Sequence, residues 1–409
     1  MFKFLNKVLI LAFIIRIILA FCYDTGDTGA VNLATTTFLK GHEVYSNSNI
    51  YFSPPPFSLH ILVLLHLISN NLHIPFTGFW KILANLSDLG IGILIYLISI
   101  KFFKRSKETA KLLCVWYLFN PVVLFVSGYH GQQESVWLFF ILSTWYILSY
   151  SKKSIITTGI AGVLAGFAIG YKLPAAILII PLFFAVPGLT NQIIFVCVTG
   201  LVCAVSFFPE MLNPVSRQGI IKQVFLYSST LNVWGISLLA AKIPFLSKHF
   251  TSIIAAFLKI LMAVAMGLNF ILSHMKKKNF FEVSLSTILI FLFLTPGFGT
   301  QYLLWPVPFL ILLTNRYLFL YTLVVTFGFL HFYSLLFPPL DFILKLLQEN
   351  IYYKIHLFYP YDLLLPIWIL IVYMLFQKLP FTDKLVMFDK YFKRSVKNKF
   401  VRKYFLYEG

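Results

Sequence analysis

The chain has 409 residues, 59% of them hydrophobic, 18% aromatic and only 11% charged, with a mean hydropathy of +0.84. A soluble domain is roughly 45–50% apolar and 25% charged, so this composition excludes a water-soluble globule, which would lack the polar groups to cover its surface. The net charge of +19 would suggest nucleic acid in a soluble protein, but in a multi-pass membrane protein an excess of Lys and Arg marks the cytoplasmic loops; nucleic acid is not an expected partner.

The chain begins MFKFLNKVLILAFIIRIILAFC, a basic start and an apolar run like those of a signal peptide. Arg16 interrupts the run and no A-x-A site follows, so it reads as an uncleaved first helix. About 20 apolar residues cross a bilayer. Division at charges, prolines and Gly-rich turns predicts twelve spans: 4–22, 80–100, 112–128, 134–150, 154–170, 173–187, 191–208, 250–273, 280–295, 301–314, 317–337 and 361–378. The apolar stretch 56–69, after the triple proline Pro54–Pro56, is short and reads as an interfacial helix.

With the N-terminus inside, two-thirds of the 33 basic residues fall on the cytoplasmic face. Making 56–69 a span would move KFFKRSKETAK and every later basic loop outside, against the positive-inside rule. Both termini are therefore expected in the cytoplasm, in a plasma membrane or endoplasmic reticulum. Segments 23–79, 209–249 and 338–360 are expected on the outer face. The basic, aromatic tail from Lys378 suits anionic lipid headgroups, at about 1 kcal/mol per charge. A central Arg16 costs roughly 2.5–3.5 kcal/mol on insertion scales, so it should face protein or a headgroup; Asp88 of the second span is one available partner.

Directly after the first span, Tyr23-Asp-Thr-Gly-Asp-Thr-Gly29 places Asp24 and Asp27 at the outer headgroups. Ionisable groups at that depth are expensive unless used. The i, i+3 spacing puts both on one face if the backbone is helical; a capped loop ahead of AVNLATTTFL is the plainer alternative. Next come Gly41-His-Glu-Val-Tyr45, the Pro54–Pro56 run and the half-length apolar helix. Farther on stand Phe119-Asn-Pro121 with Gly128-Tyr-His-Gly-Gln-Gln-Glu134, Gly170-Tyr-Lys-Leu-Pro174, and Pro296-Gly-Phe-Gly-Thr-Gln-Tyr-Leu-Leu-Trp305.

These elements, in this order, resemble the GT-C glycosyltransferases, in particular the polyprenyl-phosphate-sugar-dependent, mannosyltransferase-like branch. Asp27 matches the Asp after the first span, Gly41 and Tyr45 the G-x-x-x-Y element, and residues 119–134 the "NP … GQxD" element, with Glu134 in place of Asp. Lys172 and Pro174 match "K-x-P", and residues 301–305 match "QYLLW". The resemblance covers about residues 1–310 and implies an all-α, polytopic membrane enzyme with a juxtamembrane helix in its first outer loop. It implies three parts: a catalytic module over 1–310, C-terminal transmembrane helices over 311–378 and a basic cytoplasmic tail over 379–409.

The implied activity is inverting transfer of a hexose, mannose first, from a polyprenyl-phosphate donor to a glycan, glycolipid or protein acceptor on the outer or lumenal face. Such a step needs a carboxylate to take the acceptor's proton and cations for the departing phosphate. Asp27 is the expected base, with Asp24 as helper or alternative. Lys172, Arg217 and Lys222 are candidate phosphate ligands, Arg being suited to bidentate contact; Lys172 as a snorkelling lysine is the plainer reading.

His130, Gln132, Gln133 and Glu134 at the mouth of the fourth span, together with Gln301 and Tyr302, are candidate sugar or acceptor contacts. Trp234 joins them from the aromatic loop that also holds Tyr227, an interfacial belt being the alternative there. Cys22, Cys114, Cys197 and Cys203 form no CxxC pair, and His60, His66 and His73 have no metal-ligand spacing. No cofactor is signalled, although Asp24 and Asp27 leave a divalent metal possible. A transporter or flippase and a non-catalytic subunit on the same scaffold are the competing readings; paired charges or broken helices near mid-membrane in two similar halves would favour transport.

Overall fold

The computed structural model describes residues 2–22, 26–150, 154–208, 210–226, 230–231, 233–243, 251–336 and 364–377. These are almost entirely helical, as the apolar runs predict. In chain order they form α1 (Phe2–Cys22), α2 (Gly26–Leu39), α3 (Pro56–Asn71), α4 (Phe76–Phe79), α5 (Ile82–Lys101), α6 (Lys107–Leu118) and α7 (Pro121–Val123). α8 (Glu134–Tyr150), α9 (Ile155–Tyr171), α10 (Ile179–Ala185), α11 (Leu189–Ser206), α12 (Pro214–Ile220) and α13 (Gly235–Ala241) follow. The last are α14 (Thr251–Met275), α15 (Phe280–Leu294), α16 (Val307–Leu312), α17 (Leu318–Leu336) and α18 (Leu365–Phe376).

A helix overlaps each of the twelve predicted spans, and α3 occupies the predicted half-length stretch. Among the described residues five helical segments are long and apolar enough to cross a membrane: Leu5–Cys22, Phe76–Lys101, Lys107–His130, Leu189–Ser206 and Ile253–Met275. Asp24, Tyr227, the predicted outer segment 338–360 and the basic tail lie outside the described residues. The chain divides into two compact units, Met1–Ser229 with Gly299–Pro308, and Thr230–Phe298 with Phe309–Gly409.

In the first unit α5 packs on α6 and α8, α8 on α9, and α9 on α11. The α9–α11 approach is set by Gly162, Gly166 and Gly170, which recur every four residues and so share one face. A Cβ at Gly166 would stand 2.6 Å from Val202 Cβ and 2.9 Å from the Thr199 carbonyl oxygen. Small residues at this spacing let helix backbones approach where lipid supplies no hydrophobic drive. Replacing Gly166 by Leu should therefore destabilise the protein by about 1–3 kcal/mol through overpacking, read as a lower Tm by tryptophan fluorescence in detergent. Gly159→Leu, where nothing lies within 4 Å, should leave Tm nearly unchanged.

Inside the same unit the Arg16 side chain meets Asp88, with Nε 3.5 Å from Oδ2 and both side chains fully buried. Asp88 Oδ1 accepts hydrogen bonds from Tyr117 at 2.8 Å and Ser135 at 2.5 Å. The partner available in the sequence is thus the one used.

The segment between α1 and α5 has its own small core. α2 ends in a Schellman turn: Gly41 takes φ +74, its N–H bonds Phe38 O at 2.9 Å, and the His42 N–H bonds Thr37 O at 3.1 Å. Glycine carries no Cβ penalty in that left-handed position. Pro56 opens α3 at its first turn, where the missing N–H is harmless. Val44, Tyr45, Phe52, Leu59 and Trp80 then bury against Ile220 of α12 and Val224 just after it.

The second unit joins a two-residue strand pair, Thr230–Leu231 against Gly297–Phe298, to α13, α14, α15, α17 and α18. α14 and α15 are tied by Asn269, which donates to Thr287 at 3.1 Å and accepts from Ser286 at 3.0 Å. An Asn–Ser–Thr cluster between apolar helices supplies the direction that dispersion contacts lack. α14 is otherwise largely uncovered, Phe257 and Ile260 being more than half exposed.

Candidate functional site

The structure brings together the acid that follows the first helix, the polar run that precedes α8, and the lysine that follows α9. Asp27 stands in the first turn of α2, its side chain half exposed. The run reaches it because the chain leaves α6 at Asn120, whose side chain caps the one-turn α7, and then widens into a π-helical turn over Leu124–His130. Such single turns often occur at functional sites. Gly131 follows at φ +84, closely packed on the aliphatic part of Lys81, whose ammonium is buried and donates to the Tyr129 carbonyl at 2.9 Å.

That bend aims two donors at one oxygen. His130 Nε2 lies 2.8 Å from Asp27 Oδ2, and Gln132 Nε2 donates to the same oxygen. With the proton on Nε2 the imidazole donates. Oδ1 meets no donor among the described residues. Burial works against the Asp27 carboxylate, but the hydrogen bond and charge of His130, the charge of Lys172 and the hydrogen bond of Gln132 outweigh it and hold the pKa below the usual carboxylate value.

Gln133 and Glu134 point the other way. Gln133 donates to the Trp80 and Gly131 carbonyls, each at 3.1 Å, and accepts from Tyr171 at 3.0 Å. Glu134 is fully buried. Its Oε1 takes the Lys172 ammonium, and its Oε2 accepts from the indoles of Trp137 and Trp305, both at 2.8 Å. These two residues, expected from sequence at the sugar, have their polar atoms engaged by protein: they hold the site together. His130 and Gln132 are the members of the run that meet the half-exposed acid. Lys172, at the C-terminal end of α9 where a cation also suits the helix dipole, keeps part of its side chain exposed at 19%.

The remaining sequence candidates lie elsewhere. Arg217 on α12 and Lys222 on the π turn Ile221–Phe225 are exposed, and no contact joins either to Asp27, His130 or Lys172. Their segment is fastened to the loop between α2 and α3 instead: Ser216 and Asn213 donate to Glu43, and Gln223 bridges Tyr45 O and the Phe52 N–H. Tyr302 is buried beside Trp305, with ring centroids 4.6 Å apart, and Gln301 is partly buried on the same turn, Thr300–Leu304. Trp234 belongs to the second unit, where it is fully buried, stacks on Phe298 at 3.9 Å and donates to the Leu292 carbonyl at 2.6 Å. Its indole serves packing there.

Three contributors were not picked out from sequence. Trp137 and Trp305 carried a signal, one being three residues after Glu134 on the same helix and the other closing the QYLLW stretch. Glu43 sits inside GHEVY, but its partners are about 170 residues away. Among the described residues no group of three or more His, Cys, Asp or Glu is placed to hold a metal, and His60 and His66 instead pair with Glu210 at 2.5 Å and Thr35 at 2.9 Å. No protein-family model and no curated protein matches the chain.

Proposed function

We propose that the protein is an integral membrane glycosyltransferase of the GT-C type, crossing the bilayer twelve times with both termini cytoplasmic, that transfers a hexose from a polyprenyl-phosphate donor to a hydroxyl acceptor on the outer face. The observation that carries this reading is an ionised carboxylate, Asp27, within electrostatic reach of a cation, Lys172, at helix ends where charge is costly in lipid. In the step, the acceptor oxygen bonds to the anomeric carbon as the carbon–oxygen bond to phosphate breaks, and that electron pair leaves on the polyprenyl phosphate. The acceptor's proton passes to Asp27, at the oxygen not engaged by His130 and Gln132. Lys172 Nζ, steadied by Glu134, donates to the departing phosphate. No separate acid is needed because the phosphate leaves as a stable anion.

The test is transfer by purified protein in liposomes, given a polyprenyl-phosphate hexose and a panel of glycan, glycolipid and peptide acceptors. Product with the lipid-linked donor and none with a nucleotide sugar is the expected result; no product from any lipid-linked hexose would remove the reading.

The pH profile gives a second check. A base whose pKa is lowered stays ionised until the pH drops below the ordinary carboxylate value of about 3.9. The acid limb of kcat/KM, which reports groups of the free enzyme, should therefore fall below pH ~4, with no loss of rate between about pH 5 and 6 from this group. An acid limb centred at about pH 6 would assign the base elsewhere.

A transporter reading draws on the buried Arg16–Asp88 pair and on the broken helix at 119–131, features that line many membrane pathways. Tyr117 and Ser135 close that pair inside the α5–α8 packing, and the half-exposed charges sit at Asp27 and Lys172. Efflux of a labelled lipid-linked sugar from liposomes, without chemical transfer, would favour transport.

A further inference from the structure

The first outer segment holds a second cleft, at the opposite end of α2 from Asp27, with a volume of about 550 Å³. That lies within the roughly 300–1,000 Å³ of small-molecule sites. α2 contributes Phe38, α3 Leu59, the turn after α2 Glu43 and Tyr45, the segment leading into α12 Glu210, and α12 itself Ser216. At a rise of ~1.5 Å per residue, Phe38 lies roughly 16 Å along α2 from Asp27. The cleft is therefore separate from the place where a reacting hydroxyl would meet the base.

Its polar groups are set to accept hydrogen bonds. Glu210 Oε1 meets His60 Nε2 at 2.5 Å, while its Oε2 is buried with no hydrogen-bond partner among the described residues. A buried carboxylate oxygen without a donor is destabilising, and because Glu210 lines the cleft, a small turn of its side chain toward a hydroxyl there would relieve that cost. Glu43 is held at the rim by Asn213 and Ser216. Tyr45 spends its proton on the Pro54 carbonyl at 2.9 Å; burial and then the Glu210 charge keep this phenol protonated. Apolar surface adjoins these acceptors, from the exposed Leu212 and from Phe38, whose ring centroid is 5.5 Å from that of His60. Hydroxyl-accepting carboxylates beside an aromatic face match the two sides of a sugar ring, its O–H groups and its C–H face.

We infer that this cleft binds a saccharide unit, with hydroxyls donating to the Glu210 and Glu43 carboxylates and the C–H face against Phe38 and Leu212. Identifying that saccharide as the part of the acceptor remote from the reacting hydroxyl rests on the glycosyl-transfer reading; the binding itself does not. Binding energy gained so far from the reacting centre would serve to orient the acceptor.

The experiment uses the full-length protein in detergent micelles without donor. It measures binding of free mannose- and glucose-containing di- to tetrasaccharides by saturation-transfer NMR and calorimetry, with spermidine as the cationic comparison. At least one saccharide should bind, and Glu210→Gln and Phe38→Ala should each weaken it about tenfold or more. Photo-crosslinking of the wild-type protein with a diazirine-bearing disaccharide needs no variant and should label residues 38–59 or 210–216. Labelling elsewhere, no saccharide binding by the wild type, unchanged binding in both folded variants, or preference for spermidine would each overturn the inference. Saccharide binding without transfer would sink the catalytic reading alone, and transfer without labelling of the cleft would sink this one alone.

Discussion

On the proposed glycosyl-transfer function, Asp27→Asn should lower the rate of hexose transfer by about 10²–10⁴-fold, the usual contribution of a positioned general base. The substitution isolates proton transfer well. Asparagine retains a side-chain oxygen that can accept from His130 and Gln132, as Asp27 Oδ2 does now, so the contact between α2 and the 130–132 bend should survive. What disappears is a group able to take the acceptor's proton. The effect should fall mainly on kcat, since an interaction used only in the transition state leaves substrate binding largely intact. The second acid of the DTGD run makes the comparison decisive: Asp24→Asn should retain most activity. An active Asp27→Asn with an inactive Asp24→Asn would transfer the base to Asp24, and two active variants would leave no role for either.

Glu134→Ala should produce the largest loss of stability, about 3–5 kcal/mol, because it breaks a buried ion pair by removing one partner. Glu134 is fully buried, and its carboxylate serves the Lys172 ammonium on one oxygen and the Trp137 and Trp305 indoles on the other. Each indole N–H left without an acceptor costs about 1–3 kcal/mol, though the three losses are not additive. Against a typical stability of 5–15 kcal/mol this is a large fraction. Tm should fall steeply and tryptophan emission should change, since two indoles lose their common acceptor. Adding Lys172→Met should restore part of the loss by removing the stranded ammonium, a coupling that a double-mutant cycle measures. Glu134→Asp, which installs the residue of the GQxD pattern, leaves the carboxylate one methylene short of three donors and should fall between wild type and Ala. No recovery of Tm in the double variant would mean that the ion pair contributes little.

The long apolar helices were legible because each follows from a run of apolar residues broken by charge or proline, a signal that does not depend on the rest of the chain; the short α4, α12 and α13 were not. The site was legible in part for the same reason. Asp27, His130, Gln132 and Lys172 all sit at helix ends, and sidedness inferred from basic residues put those ends on one face. The division of labour within HGQQE was not legible. Whether a Gln or Glu faces a cleft or the core depends on the π turn at 124–130 and on the left-handed Gly131, which together rotate Gln133 and Glu134 inward. Trp234 shows the opposite limit: an aromatic residue in a polar loop looks available in sequence, yet its ring is stacked on Phe298 and its N–H is spent on Leu292. The four-residue glycine period in α9 could have been read, but its partner helix could not.

The Arg16–Asp88 pair also bears on how the chain is made. α1 packs on α4, α5 and the 124–130 turn, although only 17% of its apolar window is buried. During synthesis Arg16 emerges well before Asp88 does, and an unpaired arginine resists release into lipid. On the membrane-spanning reading, α1 would then wait at the insertion machinery until α5 arrives and leave with it as a neutralised hairpin. The nascent protein would thus acquire its first tertiary contact before its third hydrophobic segment is complete, and the orientation of Asp27 would be settled at that early stage.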